Sequence, residues 1–139
     1  VIKQRIEDNI TDKHAFSAFV TKHTPYDPSK LQCAVTTQFN RFTLVEKRMR
    51  ERVTTDFNLS FSDSTNCISL NGLVVIELKQ EQTDKDSILC KVLRKYAIRP
   101  SSISKYCIGI SLLNEKAKAN NFKKIIKQIN KISHVEHFT

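Results

Sequence analysis

Charged residues recur at every second position in stretches that otherwise read as β-strands. In Val1-Ile2-Lys3-Gln4-Arg5-Ile6 the period-two spacing puts Lys3 and Arg5 on one face. In the stretch 50–57, Arg50, Arg52, Thr54 and Asp56 share a face, with Val53, Thr55 and Phe57 opposite. In the stretch 73–79, Val74, Ile76 and Leu78 lie on one side and Val75, Glu77 and Lys79 on the other. Successive strand side chains point to opposite sides of a sheet, so each stretch offers an apolar face to a core and a charged face to something else. Cations gathered on a sheet face with a carboxylate among them suit a polyanionic phosphate and its metal counter-ion.

Glu77-Leu78-Lys79 alone reads equally as a half-exposed strand with an ordinary Glu and Lys outside. The strand is otherwise strongly apolar, which predicts a central place in the sheet, and charges on a central strand need counter-charges on its neighbours. Arg41, Arg52, Lys3 and Arg5 supply more cations than one carboxylate neutralises, leaving positive charge for a ligand. Ser101-Ser102-Ile103-Ser104-Lys105-Tyr106 follows Pro100; its hydroxyls and lysine are either phosphate donors at the start of an element or a polar cap. His134 and His137 lie at the chain end, where fraying is expected, and two ligands there lack the third and fourth that zinc requires. Two glycines cannot make a Gly-rich phosphate loop, and there is no nucleophile elbow or zinc ribbon.

The 139 residues suffice for one domain with a real core, and 40% hydrophobic with 27% charged residues is a globular composition. The net charge of +9 points to an anionic partner, whether nucleic acid, an acidic membrane surface or a phosphate compound. No apolar run approaches the ~20 residues of a membrane span. The chain opens inside a strand-like segment, which predicts a piece of a longer protein. Cys33, Cys67, Cys90 and Cys107 form no CxxC and read as reduced core thiols of an intracellular protein.

These residues need elements to position them. Thr11 is expected to cap a helix through His23, with Ala15, Phe16, Phe19 and Val20 as its apolar stripe. A long hairpin follows with arms 34–47 and 50–61. Asp63-Ser64-Thr65-Asn66 is turn chemistry, and Asn71-Gly72 signals a second hairpin between 67–70 and 73–81. Asp84 or Asp86 is expected to cap a helix reaching Ala97. The stretch 101–113 fits strand or helix, and 116–132 an amphipathic helix with Phe122, Ile125, Ile126, Ile129 and Ile132 on one stripe. Strands in hairpins with helices between and after them give an α+β class on an antiparallel sheet.

In order and spacing, five pieces resemble the VTC domain, the polyphosphate polymerase branch of the triphosphate tunnel metalloenzymes. They are Val1-Ile2-Lys3-Gln4-Arg5, Phe39-Asn40-Arg41-Phe42, Arg52-Val53-Thr54-Thr55-Asp56, Val75-Ile76-Glu77-Leu78-Lys79 and Ser104-Lys105-Tyr106-Cys107-Ile108-Gly109. The resemblance implies an antiparallel tunnel-like barrel with flanking helices, of which residues 1–139 are a single domain equivalent to the C-terminal half. It implies that Lys3, Arg5, Arg41, Arg52, Lys79 and Lys105 hold phosphates, with Lys79 and Lys105 in the catalytic role. It also implies that Glu77 helps hold Mn²⁺ or Mg²⁺. Phe39 stands where many members carry Tyr, and the family's N-terminal half has no counterpart in the chain.

The expected function is transfer of phosphoryl groups between ATP and polyphosphate; the alternatives are triphosphate hydrolysis in the same fold or non-catalytic polyanion binding. The chain is expected to act as an enzyme only if the tunnel is complete. Expected partners are ATP, triphosphate or polyphosphate, a membrane-bound partner domain or subunit, and further copies of the fragment through open strand edges. Specific nucleic-acid binding is not expected, because few aromatics stand among the basic residues. The expected location is cytoplasmic, including the cytoplasmic face of a membrane assembly.

Overall fold

The computed structural model describes residues 13–48, 50–114 and 116–138. Two compact units emerge, Val1–Cys33 and Ala34–Thr139. The opening segment with Lys3 and Arg5, and the expected cap Thr11, lie outside the described residues. In the first unit, helix α1 spans Lys13–His23. The amide and hydroxyl of Thr24 both donate to the Val20 carbonyl at 2.9 Å, and Pro25 stops the helix there. Asp27 then caps a short 3₁₀ turn, Pro28–Lys30, by accepting from the Ser29 amide.

The second unit is built on an antiparallel sheet. Strands β1 (Thr36–Val45) and β2 (Glu51–Ser62) form the expected long hairpin. The next turn is at 63–66, where the Asp63 carboxylate accepts from the Thr65 and Asn66 amides at 2.7 and 2.8 Å and adds to the backbone bond from the Asp63 amide to the Asn66 carbonyl at 3.0 Å.

The expected hairpin at Asn71-Gly72 does not form. Strands β3 (Cys67–Asn71) and β4 (Val75–Gln80) instead lie end to end along one edge of β2: β3 pairs its residues 59–62 and β4 its residues 51–56. Gly72, at φ +81°, and a bond from the Leu73 amide to the Leu70 carbonyl make a step within one arm rather than a reversal. A glycine tolerates that left-handed conformation in a step as readily as in a hairpin turn, so the dipeptide alone does not distinguish them. The expected fraying at the C-terminus is also replaced: strand β5 (His134–Phe138) pairs antiparallel with β3.

The strand order is β1-β2-β3-β5, with β4 also on β2. Among the described residues the sheet is open, so the α+β antiparallel class holds and the barrel does not close here.

The core lies on an unexpected side. Alternation assigns Val53, Thr55 and Phe57, with Val74, Ile76 and Leu78, to the buried face. Yet Val74 and Ile76 are exposed, as are Phe42 and Leu44 on β1. The buried positions of β2 are Thr54 and Asp56, then Leu59 and Phe61. The three-residue step between them is a β-bulge: the β1–β2 register shifts between Gln38 and Asn40, and Asn58 takes a left-handed φ of +53°. Charged and core residues of β2 therefore share one side of the sheet.

On that side Leu59, Phe61, Ile68, Leu70, Leu73 and Val75 meet Ile108 of helix α3 (Lys105–Leu113) and Ile129 of helix α4 (Lys123–Ile132). Each fully buried Leu, Ile or Phe contributes about 1.5–3 kcal/mol. The stretch 101–113 thus resolves to helix from Lys105, with Ser104 as its cap: the hydroxyl accepts from the Cys107 amide at 3.3 Å. A β-carbon on Gly109 would stand 2.6 Å from Cδ1 of Phe61 and 3.1 Å from Cγ2 of Val35, so only glycine lets α3 lie this close to the sheet. Helix α2 (Ile88–Lys95) is capped by Ser87, not by Asp84 or Asp86, and buries no residue. Asp86 instead pairs with Arg94 at 3.5 Å.

Candidate functional site

The cross-strand register gathers the charged residues. Arg41 of β1 lies opposite Asp56 of β2, and Arg52 of β2 opposite Lys79 of β4, with Thr54 opposite Glu77 between them. Residues directly opposite share a face, so Arg41, Arg52, Asp56, Glu77 and Lys79 form one polar field. Lys105 reaches the same field from the first turn of α3.

Asp56 is the centre of one half. Only 1% of it is exposed. Its Oδ1 accepts from Nε of Arg41 at 2.5 Å and its Oδ2 from Nη2 at 2.7 Å, a side-on bidentate pair. Lys105 Nζ stands 2.5 Å from the same Oδ2. The hydrogen bond from Arg41, joined by that from Lys105, outweighs burial and holds the Asp56 carboxyl below the usual carboxylate range. The Phe39 ring neighbours both cations, with Arg41 Cζ 5.0 Å and Lys105 Nζ 4.9 Å from its centroid. Both distances are within cation–π reach.

The other half is looser. Lys79 Nζ pairs with Glu77 Oε1 at 3.1 Å, both side chains about half exposed. Arg52 is exposed and has no ion pair among the described residues. Like charges directly opposite repel, and Arg52 faces Lys79. Between the halves, the hydroxyl of Thr54 is buried without a hydrogen-bond partner among the described residues.

Of the residues singled out in the sequence, Arg41, Arg52, Glu77, Lys79 and Lys105 come together, whereas Lys3 and Arg5 lie outside the described residues. Ser104 acts as the polar cap of its element. Asp56 was legible only as one more member of an alternating stripe, and its role as shared counter-ion was missed. The available signal was a single carboxylate in a stripe of cations on the longest strand. The donor set is compatible with a hard divalent cation that keeps phosphate oxygens and water among its ligands. Glu77 offers exposed carboxylate oxygen, and among the described residues no group of three or more His, Cys, Asp and Glu side chains forms an all-protein cage.

Fold and field together define an α+β protein whose open antiparallel sheet carries a cation-rich, carboxylate-braced face. The VTC domain model matches residues 2–114, and the chain belongs to the VTC domain family, which ties it to polyphosphate-related function. No protein of curated function and no solved structure matches the chain. Among the described residues no helix is long and apolar enough to cross a membrane.

Proposed function

We propose that the chain is one wall of a polyphosphate polymerase-like domain. It binds the phosphates of ATP and polyphosphate along the face formed by β1, β2 and β4 and, with a divalent metal, passes phosphoryl groups between them. One observation carries this reading. Among the described residues gathered around Asp56 and Thr54, the four cations Arg41, Arg52, Lys79 and Lys105 meet two carboxylates, Asp56 and Glu77, a surplus of two positive charges. Lys3 and Arg5, outside the described residues, are proposed as further phosphate holders on the family resemblance alone.

Phosphoryl transfer is mainly positioning and neutralisation of charge on the reacting oxygens. Arg41 and Arg52 are the phosphate holders, because a guanidinium grips oxygens through a rigid fork; Lys79 and Lys105 supply point charge beside the transferred group. Glu77 is the carboxylate that would help hold Mn²⁺ or Mg²⁺, and the ion supplies neutralisation of phosphate oxygens when bound. Among the described residues, β1 and β4 each pair only with β2, so their outer edges are open to strands that complete a tunnel, from the same protein or from another copy. The proposed setting is the cytoplasm, including the cytoplasmic face of a membrane assembly.

The test is incubation of the complete parent protein, with all its tunnel walls, with ATP and Mn²⁺. Polymer is the expected product. Orthophosphate alone would indicate a triphosphate hydrolase, and binding without turnover a non-catalytic module. Glu77→Gln is expected to abolish metal-dependent turnover and keep anion binding. Arg52→Ala is expected to weaken polyphosphate binding about tenfold at low salt and less at high salt, the loss of one charge-assisted contact. Undiminished affinity would place Arg52 outside the site.

A further inference from the structure

Asp56 raises a question that phosphate binding alone does not answer. A buried carboxylate inside an anion site spends two of its cations on an internal partner. Arginine has five N–H donors, and Asp56 takes the Nε donor and one from Nη2. What remains of Arg41 is the end-on fork: both Nη1 donors and the second Nη2 donor. The Arg41 side chain is still 40% exposed, whereas that of Lys105 is 22% exposed. The Phe39 ring stands beside both cations, with its centroid 5.0 Å from Arg41 Cζ and 4.9 Å from Lys105 Nζ.

We infer that Asp56 is a positioning residue that orients Arg41 and Lys105 and sets the selectivity of the site for short over long phosphate chains. The inference rests on the proposed phosphate-binding face. With its side-on edge occupied, Arg41 presents a single fork at a fixed angle, and Lys105 adds one charge at a fixed distance. A short anion such as tripolyphosphate has few oxygens and depends on that preformed geometry, because it cannot offset the cost of ordering two long cationic side chains. A long polyphosphate has phosphates to spare and responds mainly to the number of cations it meets. The carboxylate therefore lowers the net charge of the face by one while raising the order of the cations that remain.

The experiment uses the full chain, wild type and Asp56→Asn, which keeps shape and removes charge. Two measurements are made. In the ligand-free protein, the Nε–H of Arg41 is followed by NMR exchange with water. It is expected to be protected in the wild type and to lose at least tenfold of that protection in the variant. Affinities for tripolyphosphate and for long-chain polyphosphate are then compared at several salt concentrations. The variant is expected to lose about five- to tenfold in tripolyphosphate affinity, to change less than twofold for the long chain, and to show a salt slope for the long chain steeper by roughly one counter-ion.

A merely structural carboxylate would move both affinities together, and an unchanged ratio would overturn the inference. Unchanged Nε–H protection would overturn it too. If the wild type binds neither anion, the phosphate reading fails and the selectivity role with it, while the NMR result still decides whether Asp56 orients the pair. Should Asp56→Asn not fold, Arg41→Lys replaces it, since this keeps the charge and removes the fork. It is expected to show the same loss for tripolyphosphate with the long chain nearly unaffected, and equal losses for both would reject the inference.

Discussion

The two ends of β2 face the same side of the sheet and are stabilised in opposite ways. From Leu59 to Phe61 the strand is closed over by Ile68, Leu70, Ile108 and Ile129, and its stability comes from apolar area withdrawn from water. From Arg52 to Asp56 it carries a carboxylate that two cations must satisfy, a hydroxyl with no described partner, and an exposed arginine opposite a lysine. An unpaired buried hydroxyl alone costs about 1–3 kcal/mol. The polar end is carried by the apolar end: one continuous strand lets a well-packed half hold a costly half in place.

The contrast breaks most sharply at Phe61. Phe61→Ala is expected to cost about 3–5 kcal/mol in chemical denaturation, while the anion affinity of the molecules that remain folded is unchanged, because the truncation removes volume beneath Gly109 and does not push α3 off the sheet. A loss of affinity per folded molecule would mean that the two ends are not separable. The boundary itself is the next largest effect. Asn58 holds the left-handed conformation that keeps Asp56 and Leu59 on one side, and a β-branched residue resists it. Asn58→Val is expected to cost about 1–2 kcal/mol, whereas Asn58→Gly stays near neutral.

The smallest effect is confined to acid. Asp56 is held below the ordinary carboxylate range by Arg41 first and Lys105 second. Its contribution is therefore complete above the unfolded value of about 3.9 and is lost as pH falls through the lower folded value. In urea midpoints measured against pH, wild type and Asp56→Asn are expected to converge as pH falls. The exposed carboxylates Asp27 and Asp63, also lowered by their local hydrogen bonds, give the same acid slope in both proteins. Parallel curves would show that Asp56 is not ionised in the fold.

The same comparison explains what could be read from sequence. Period-two alternation correctly put Arg52 with Asp56 and Glu77 with Lys79, because along an uninterrupted strand alternation is geometry. It failed at Asn58, where one extra residue reverses the phase; a bulge changes no residue type and so leaves no mark on a hydrophobic pattern. The choice of buried face, made from Val53, Val74 and Ile76, failed for that reason. Asn71-Gly72 was legible as a place needing a left-handed residue but not as a step, since β4 pairs back to β2 over a distance that local chemistry does not encode. Asp56 was visible and its partners were not: that Arg41 and Lys105, 64 positions apart in the numbering, meet on one oxygen pair follows from register and from the approach of α3.

Gly109 and Lys105 stand one turn apart on α3, so they face the same way. The bare backbone at 109 fixes how near the helix axis comes to Phe61, and that distance sets how far the lysine ammonium projects over the sheet. Volume added between helix and sheet at 109 would draw the Lys105 ammonium away from Asp56. A single methyl group in the hydrocarbon interior would thus detune an ionic contact it never touches, giving the interior a mechanical hold on the chemistry of the surface.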